Sequence, residues 1–383
     1  MLEFLVKGSL VLLVVHYIGY PLVVIAAARL RCTPKSGPAG EPASEVPTVC
    51  FIIAAYNEQR VIEAKLHNTL SLDYPPERLR IIVACQGSSD ATPEIARSFE
   101  PHGVLVLHDP KRGGKTAALN EAVAHCSSDI VVFSDANNAF EHSALKRLVA
   151  HFADPAIGGV TGLKQIRAAD DRESSVGDGL YWAYESAIKA AESALGSITA
   201  ADGEIFAMRR DLFRPMDPTL INDDAALTLD IVQAGRRLVY EPEAKSFEDA
   251  SITIGDDFNV KVRMVSGGFQ TLQRNWRFLF SPRTRFAWQF FCHKTLRWVA
   301  PELLIVLLVA SATQLHQPRY AALFGMQLAF YALGLTGLFL RSGTRPLPKL
   351  LYVPFYFCAM NAAAFMGLYR YLTGTTMWKK AAR

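Results

Sequence analysis

Residues 48–58 read TVCFIIAAYNE, a run that is apolar and rich in β-branched residues up to Ala55 and polar directly after it. A short apolar run of this kind predicts a strand that is buried on both faces. Similar runs recur along the chain, separated by stretches whose apolar residues repeat at helical spacing. This alternation predicts an α/β domain, with a mostly parallel sheet and helices on both faces. The strand candidates are residues 48–55, 80–84, 104–108 and 130–134.

Polar residues follow three of these strands at the point where each strand ends. They are Tyr56 to Glu58 after the first strand, Gln86 to Asp90 after the second and Asp135 to Asn138 after the fourth. Ligands of open parallel sheets bind beyond the carboxyl ends of the strands, so we expect these residues to form a site on one edge. Taken singly, each of them also suits a turn or a helix N-cap.

A fourth polar segment, KRGGK at residues 111–115, opens a predicted helix. Free backbone N–H groups at a helix N-terminus, together with the ammonium of Lys115, suit a diphosphate, although such a run is often only a loop. The chain has neither a GxGxxG nor a GxxxxGK[ST] motif. A dinucleotide-binding fold and a P-loop are therefore disfavoured.

The order and spacing of these pieces resemble the inverting family 2 glycosyltransferases, from about Val46 to Pro301. The resemblance is to membrane-embedded members of this family, related to polysaccharide synthases and ceramide-glucosyltransferase-like enzymes. It implies the GT-A fold, which is the fold of nucleotide-diphospho-sugar transferases. The matching segments are residues 54–58, 87–92, 114–120 and 133–137, Asp202 with Gly203, and residues 222–224 followed by Gly235 and residues 240–244.

The resemblance implies a metal site and a catalytic base. It places Mg²⁺ or Mn²⁺, cations that prefer oxygen ligands, on Asp135 and Asn137, where Asn137 replaces the second aspartate of the usual DxD motif. It assigns the base to Asp224, with Asp223 in the position that usually holds glutamate. The alternative is that Asp223 and Asp224 only stabilise the N-terminus of a helix.

The remaining site residues fall into a donor set and an acceptor set. Trp182 and Glu185 lie on a helical stretch that is a candidate for lining the acceptor cleft, although aromatic stretches of this kind more often pack in a core. Asp202 and Gly203 are assigned to the acceptor by the resemblance. The donor set is Ala54, Tyr56, Asn57, Glu58, Gln86, Asp90, Lys115, Asp135 and Arg263.

Two departures from the family pattern bear on the substrates. Cys85 and Gln86 stand where two acidic residues are common, which puts recognition of uracil in question, although a UDP-sugar remains the expected donor. Residues 260–264 read VKVRM where many membrane members carry Gln-x-x-Arg-Trp. Arg263 matches and is a candidate clamp for the diphosphate, while the missing tryptophan weakens the expectation of processive polymer extension.

Four apolar stretches are long enough to cross a bilayer: residues 8–28, 298–315, 320–340 and 350–368. Only Lys7 precedes the first stretch, whereas Arg29, Arg31 and Lys35 follow it. This distribution argues against a cleavable signal peptide and places the catalytic domain in the cytoplasm, on the inner membrane of the cell. The expected domains are a transmembrane helix at 1–29, a linker at 30–47, a GT-A domain at 48–277, an amphipathic interface helix at 278–297, three transmembrane helices at 298–372 and a tail at 373–383.

The charge distribution indicates lipid rather than nucleic acid as a partner. Residues 258–300 contain eight Lys or Arg and no Asp or Glu, interleaved with aromatic residues, and this composition favours anionic headgroups or phosphates. Glu302 is the single formal charge in the apolar stretches, and we expect it to pair with Arg297 or Lys294. The six cysteines contain no Cys-x-x-Cys pair and are expected to be buried thiols.

Together these features predict a membrane-bound inverting glycosyltransferase. It would transfer sugar from a nucleotide-diphospho-sugar to a polysaccharide acceptor, in exopolysaccharide or cell-envelope glycan synthesis. Synthesis of a glycolipid or of a polyprenyl-linked sugar stays open as an alternative. A catalytically silent, nucleotide-binding membrane scaffold is a further alternative, which the presence of Asp135 and Asp224 disfavours.

Overall fold

The structure is a computed structural model that describes residues 2–31, 46–111, 113–167, 173–249, 254–281, 284–340 and 347–374, without the side chains of residues 167, 173–182, 254 and 256. The chain forms two compact units. The sheet unit comprises Ala27–Arg167 and Ser186–Asp249, and the membrane unit comprises Met1–Ala26, Ala168–Glu185 and Ala250–Arg383.

Eight strands form a single mixed sheet in the described part of the sheet unit. They are β1 Val49–Ala54, β2 Leu79–Ala84, β3 Val104–Leu107, β4 Ile130–Asp135, β5 Asn138–Phe140, β6 Ile157–Arg167, β7 Phe206–Arg209 and β8 Arg237–Asp249. Their order across the sheet is β3-β2-β1-β4-β7-β6-β8-β5. The pairs β1–β2, β1–β4, β2–β3 and β6–β8 are parallel, and β4–β7, β6–β7 and β5–β8 are antiparallel.

The helices of the two units differ in length and surroundings. In chain order they are α1 Leu2–Val14, α2 Tyr20–Leu30, α3 Ile62–Leu70, α4 Thr92–Arg97, α5 Gly114–Ala124, α6 Ala144–Ala150, α7 Glu173–Leu195, α8 Asp223–Gln233, α9 Ile254–Leu279, α10 Arg285–Phe290, α11 Leu296–Trp298, α12 Ala300–Ala312, α13 Pro318–Leu340 and α14 Lys349–Thr373. The π-helical segments Val15–Gly19 and Phe291–Thr295 connect α1 to α2 and α10 to α11. Helix α9 is kinked at Asn275.

The sheet carries a hydrophobic core on each face, because successive side chains of a strand point to opposite sides. Phe51 and Ile53 of β1 belong to a core that includes Leu66 of α3. Ile52, between them, belongs to the opposite core with Leu119 of α5. The prediction of an α/β fold with helices on both faces is thereby confirmed, and the four predicted strands match β1 to β4 within one residue at either end. The sheet is more mixed than predicted, since β5 to β8 contribute the antiparallel pairs.

Three helices among the described residues are long and apolar enough to cross a bilayer. They are Leu2–Leu30, Pro318–Leu340 and Lys349–Thr373. The predicted span at 298–315 is not one continuous helix, because α12 has only 13 residues, whereas a span needs about 20. The helical stretch Arg285–Trp298 precedes α12, and the two are bent by 64° relative to each other. A fourth span exists only if these two stretches together are counted as one span. Pro301 explains the break, since proline lacks an N–H and clashes with the preceding turn.

Three smaller predictions differ from the structure. The single interface helix at 278–297 is replaced by the end of α9 at Leu279 and a new start at Arg285. Glu302 does not pair with Arg297 or Lys294, and its two carboxylate oxygens have no hydrogen-bond partner among the described residues. Cys50 and Cys126 form a disulfide instead of remaining thiols.

Candidate active site

The loops that follow β1 and β2 are tied together by hydrogen bonds. Asn57 has a positive φ of 53°, a conformation that asparagine tolerates better than most residues. Its Oδ1 accepts from the backbone N–H of Ser89 at 2.8 Å. Asp90 accepts from the backbone N–H groups of Gln59 at 3.2 Å and Thr92 at 3.0 Å. Burial would raise the pKa of Asp90, but these bonds and the Thr92 hydroxyl lower it overall. The two loops therefore hold a fixed shape at the sheet edge, and a direct contact of Asp90 with the donor stays a prediction.

The end of β1 lies directly beside the predicted metal ligand. Ala54 is in register with Ala84 of β2 on one side and with Asp135 of β4 on the other. Tyr56 and Glu58 follow within the next four residues and are half-buried. The parallel register explains this arrangement, since the carboxyl ends of parallel strands meet at one edge. The sheet thus brings together the polar residues that follow β1 and β4.

Gln86 occupies the position expected to recognise the nucleobase. Its amide Nε2 donates to the carboxylate of Glu121 on α5. A Cβ atom on Gly113 would lie 2.8 Å from Gln86 Oε1, so glycine at residue 113 makes room for this side chain. Helix α5 then begins at Gly114, whose φ of 82° is a conformation that favours glycine. Arg112, in the same loop, lies outside the described residues.

Lys115 is the cation at the centre of the site. Its Nζ lies 2.8 Å from Asp135 Oδ1 and 3.4 Å from Asp223 Oδ2. Burial would lower the pKa of Lys115, but the two carboxylates outweigh burial and raise it. Asp223 comes from the first turn of α8, far along the chain from Lys115. The ion pairs therefore join the start of α5, the end of β4 and the start of α8.

Asp224 lies next to this group, and the pKa of its carboxyl group is raised. Its Oδ1 accepts from the backbone N–H of Ala225 at 2.7 Å. Burial, followed by the negative charge of Asp223, raises the pKa of Asp224 to about 6. Gly203 packs against it, because a Cβ on Gly203 would lie 3.2 Å from Asp224 Cβ. Asp202, the preceding residue, is held by Lys189, whose Nζ lies 2.6 Å from Asp202 Oδ2.

Asn137 lies in the turn between β4 and β5, and its Nδ2 donates to Glu248 Oε1 at 2.7 Å. The described residues include no group of three or more His, Cys, Asp or Glu side chains able to hold a metal ion on its own. A divalent cation bound here would take oxygen ligands from Asp135 and Asn137 and further ligands from a phosphate, as Mg²⁺ often does. The charges fit such a cation, because Asp135, Asp223 and Asp224 outnumber Lys115 and the surplus negative charge would otherwise repel a diphosphate.

The other predicted site residues belong to the membrane unit. The side chain of Trp182 lies outside the described residues. Glu185 is buried and contacts three side chains, with His293 Nε2 at 3.2 Å, Lys294 Nζ at 2.7 Å and Arg297 Nη2 at 2.9 Å. Its burial alone would raise the pKa of Glu185, but Arg297 and Lys294 lower it well below the ordinary value. These contacts give Glu185 a structural role, and its contact with the acceptor stays a prediction.

Arg263 lies half-buried on α9. Its predicted role as a clamp for the diphosphate also stays a prediction. Helix α9 groups with the membrane unit, although the sequence prediction placed it inside the domain that ends at residue 277.

Sequence reasoning missed four charged residues that support this edge of the sheet. Lys65 is 2% exposed, and its Nζ donates to Ser134 Oγ and Asn138 Oδ1, both at 2.6 Å. The other three residues are Lys164, Glu204 and Glu248, joined by ion pairs. No short motif marks any of the four, and a lysine on a helix is ordinarily a solvent-exposed residue.

Comparison with known proteins identifies the domain. Residues 50–216 match the family described as Glycosyl transferase family 2. The chain carries a glycosyl transferase family 2 domain. The domain confirms the predicted family, and its GT-A fold is confirmed by a solved structure, the mannosyltransferase PcManGT from Pyrobaculum calidifontis in complex with GDP-Man and Mn²⁺. That chain is 23% identical with a TM-score of 0.72, and the match covers 97% of this chain and 100% of that one.

Relatives of the family 2 domain include curated synthases. The chain is 28% identical over 236 residues to the poly-beta-1,6-N-acetyl-D-glucosamine synthase of Staphylococcus aureus strain COL. It has the same identity over the same length to the synthase of that name from Staphylococcus epidermidis. In each case the match covers 60% of this chain and 57% of the relative. The family 2 domain is thus shared, and the chain matches little more than half the length of these relatives.

Proposed function

We propose that this protein is an inverting glycosyltransferase that moves a sugar from a nucleotide-diphospho-sugar to a hydroxyl group of a growing polysaccharide, in exopolysaccharide or cell-envelope glycan synthesis. The observation that carries the proposal is the convergence of Asp135, Asp223 and Asp224 around Lys115 at the carboxyl edge of the sheet. This arrangement offers a cationic contact for a leaving diphosphate and a carboxylate for the attacking alcohol within one group of side chains.

The donor diphosphate binds at the start of α5 in this proposal. Lys115 gives up part of its pairing with Asp135 and Asp223 to contact the phosphate oxygens, and the backbone N–H groups of the first turn add to the attraction. Asp135 and Asn137 would hold a divalent cation, which would supply positive charge to neutralise the departing diphosphate. Gln86 contacts the nucleobase, and uracil is the proposed base, because Gln86 Oε1 can accept a hydrogen bond from its ring N–H.

Asp224 acts as the general base. It takes the proton of the acceptor hydroxyl while the hydroxyl oxygen forms a bond to the anomeric carbon of the sugar. The bond from that carbon to the diphosphate breaks on the opposite face, so the configuration inverts. A pKa raised to about 6 suits this role, since a base is most effective when its pKa lies near the working pH.

The acceptor and the membrane complete the proposal. Asp202, Gly203, Trp182 and Glu185 remain proposed acceptor contacts. The apolar helices support a location in a membrane, and Arg29 and Arg31 at the end of the first helix favour a cytoplasmic catalytic domain in the inner membrane of the cell. Similarity to the polysaccharide synthases supports a polymer acceptor over a lipid.

Release of nucleoside diphosphate tests the proposal. Membranes that contain the protein are incubated with UDP- and GDP-sugars, with Mn²⁺ or with a chelator, and the products are sized. We expect metal-dependent release from at least one donor, a polymeric product, and loss of release in Asp135→Ala. A product of single transfer to lipid would favour the glycolipid or polyprenyl alternative. Nucleotide binding without release from any donor would favour the silent scaffold and contradict catalysis.

A further inference from the structure

Asn137 can serve as a metal ligand only in one orientation of its side chain. An amide group presents an oxygen on one branch and an NH₂ group on the other, and only the oxygen has the lone pairs that bind a cation. An aspartate at this position would present oxygen in either orientation. Whatever fixes the amide of Asn137 therefore decides whether this residue binds metal.

Glu248 is the residue that contacts this amide. Its Oε1 lies 2.7 Å from Asn137 Nδ2, and its side chain is almost fully buried. The strand pairing explains the contact, because Glu248 of β8 is in register with Asn138 of β5, the neighbour of Asn137. Only the NH₂ branch of the amide can donate to a carboxylate. The oxygen of Asn137 consequently lies on the branch that points away from Glu248.

Lys164 holds Glu248 in place as an acceptor. Its Nζ forms an ion pair with Glu248 Oε2 and lies 2.6 Å from Glu204 Oε2. A carboxylate in an ion pair accepts hydrogen bonds and has no proton to donate. Glu248 thus uses one oxygen for Lys164 and the other for Asn137.

We propose that Glu248 is a positioning residue that turns Asn137 Oδ1 towards the divalent cation held by Asp135. The inference rests on the proposed function, because it assumes that a cation binds at this turn. It also explains why asparagine stands here. An aspartate at residue 137 would place two carboxylates within hydrogen-bonding distance, and their like charges would repel. Asn137 and Glu248 therefore form a matched pair.

Binding of Mn²⁺ tests the pairing without turnover. The full-length protein in detergent is titrated with Mn²⁺ in the presence of UDP, and separately of GDP, and free Mn²⁺ is followed by electron paramagnetic resonance. In Glu248→Gln the new amide can donate to Asn137 and allow it to turn its NH₂ group to the metal. We expect Mn²⁺ affinity to fall roughly 10-fold or more, as it does when outer-shell partners of metal ligands are lost.

Glu241→Gln is the matched control. Glu241 is another carboxylate of β8, and it pairs with His151 at 2.6 Å instead of with Asn137. We expect this variant to bind Mn²⁺ as the wild type does. Equal affinities of Glu248→Gln and Glu241→Gln would overturn the proposal.

Asn137→Asp gives a second test. We expect Glu248→Gln to weaken Mn²⁺ binding when residue 137 is asparagine and to leave it nearly unchanged when residue 137 is aspartate, because an aspartate presents oxygen to the metal in either orientation. An effect of the same size in both backgrounds would mean that the two residues act independently, and the inference would be wrong. Absence of Mn²⁺ binding by the wild type with either nucleotide would instead remove the metal from the proposed function. Binding that is lost in Asp135→Ala but kept in Glu248→Gln would leave the function standing and refute the positioning role alone.

Discussion

Asp224→Asn is expected to stabilise the protein while it abolishes turnover. The pKa of Asp224 is raised from 3.8 to about 6, first by burial and second by Asp223. A carboxyl group whose pKa is raised by folding stabilises the protein fully at pH values below its pKa in the unfolded state. This stabilisation is lost as the pH rises through its pKa in the folded state. At pH 7 and above, the ionised carboxylate therefore costs the fold at most about 3 kcal/mol.

The neutral amide of asparagine avoids this cost. Asp224→Asn should raise the free energy of unfolding at about pH 8 by up to about 3 kcal/mol, and the gain should shrink as the pH falls towards about 4. Turnover at the same pH should fall by roughly 10² to 10⁴ because the base is lost. In the wild type, turnover should decline on the acidic side with a midpoint near the pKa of about 6.

Thermal unfolding in detergent at several pH values, together with release of nucleoside diphosphate, measures both effects. Asp230→Asn on the same helix α8 is the control. Burial also raises the pKa of Asp230, but it is not a site residue, so its replacement should leave turnover unchanged. Normal turnover in Asp224→Asn would refute the assignment of the base. A variant Asp224→Asn that is less stable than the wild type at about pH 8 would contradict the raised pKa of Asp224.

Two further substitutions test the support of the site. Gly113→Ala should weaken donor binding and raise KM for the donor, because its Cβ would lie 2.8 Å from Gln86 Oε1 and 2.9 Å from Ala117 Cβ at the start of α5. Gly196→Ala, with no atom within 4 Å of the new Cβ, should leave KM unchanged. Equal KM values for both variants would contradict the proposed role of Gln86 and the start of α5 in donor binding. Burial lowers the pKa of Lys65 to about 7, so the folded protein binds this proton less tightly than the unfolded chain and becomes more stable as the pH rises from about 7 to about 10. Lys65→Met should remove this contribution to the increase in stability, which is measured as the change in Tm between these pH values. The same dependence of Tm on pH in the variant and the wild type would contradict burial of the ammonium.

The first half of the sheet could be predicted from sequence because its strands are continuous apolar runs. β1 is buried along almost its whole length, and the polar residues that follow β1 and β4 mark the edge where the strands end. The second half offered weaker signals. β5 has three residues and β7 four. Gly158, Gly159 and Gly162 make β6 resemble a turn region, whereas neighbouring side chains and the backbone of Ala244 fill the space that a Cβ would need.

The candidate site residues could be named from the sequence, but the contacts between them could not. The family resemblance pointed to Asp135 and Asp224, but the pairing of Lys115 with Asp223 depends on how α8 packs on the sheet. The hydrogen bond between Asn137 and Glu248 likewise depends on the register of β5 with β8. Neither register nor helix packing is encoded in a short motif, so these partners emerge only from the fold.

A structure of the protein with Mn²⁺ and UDP bound is the most direct measurement of the central claim. We predict that the diphosphate lies against Lys115, that Mn²⁺ binds Asp135 and the amide oxygen of Asn137, and that the carboxylate of Asp224 faces the space on the far side of the sugar position. A nucleotide bound away from the carboxyl edge of the sheet, or Asp224 turned into a separate cavity, would contradict the proposed reaction.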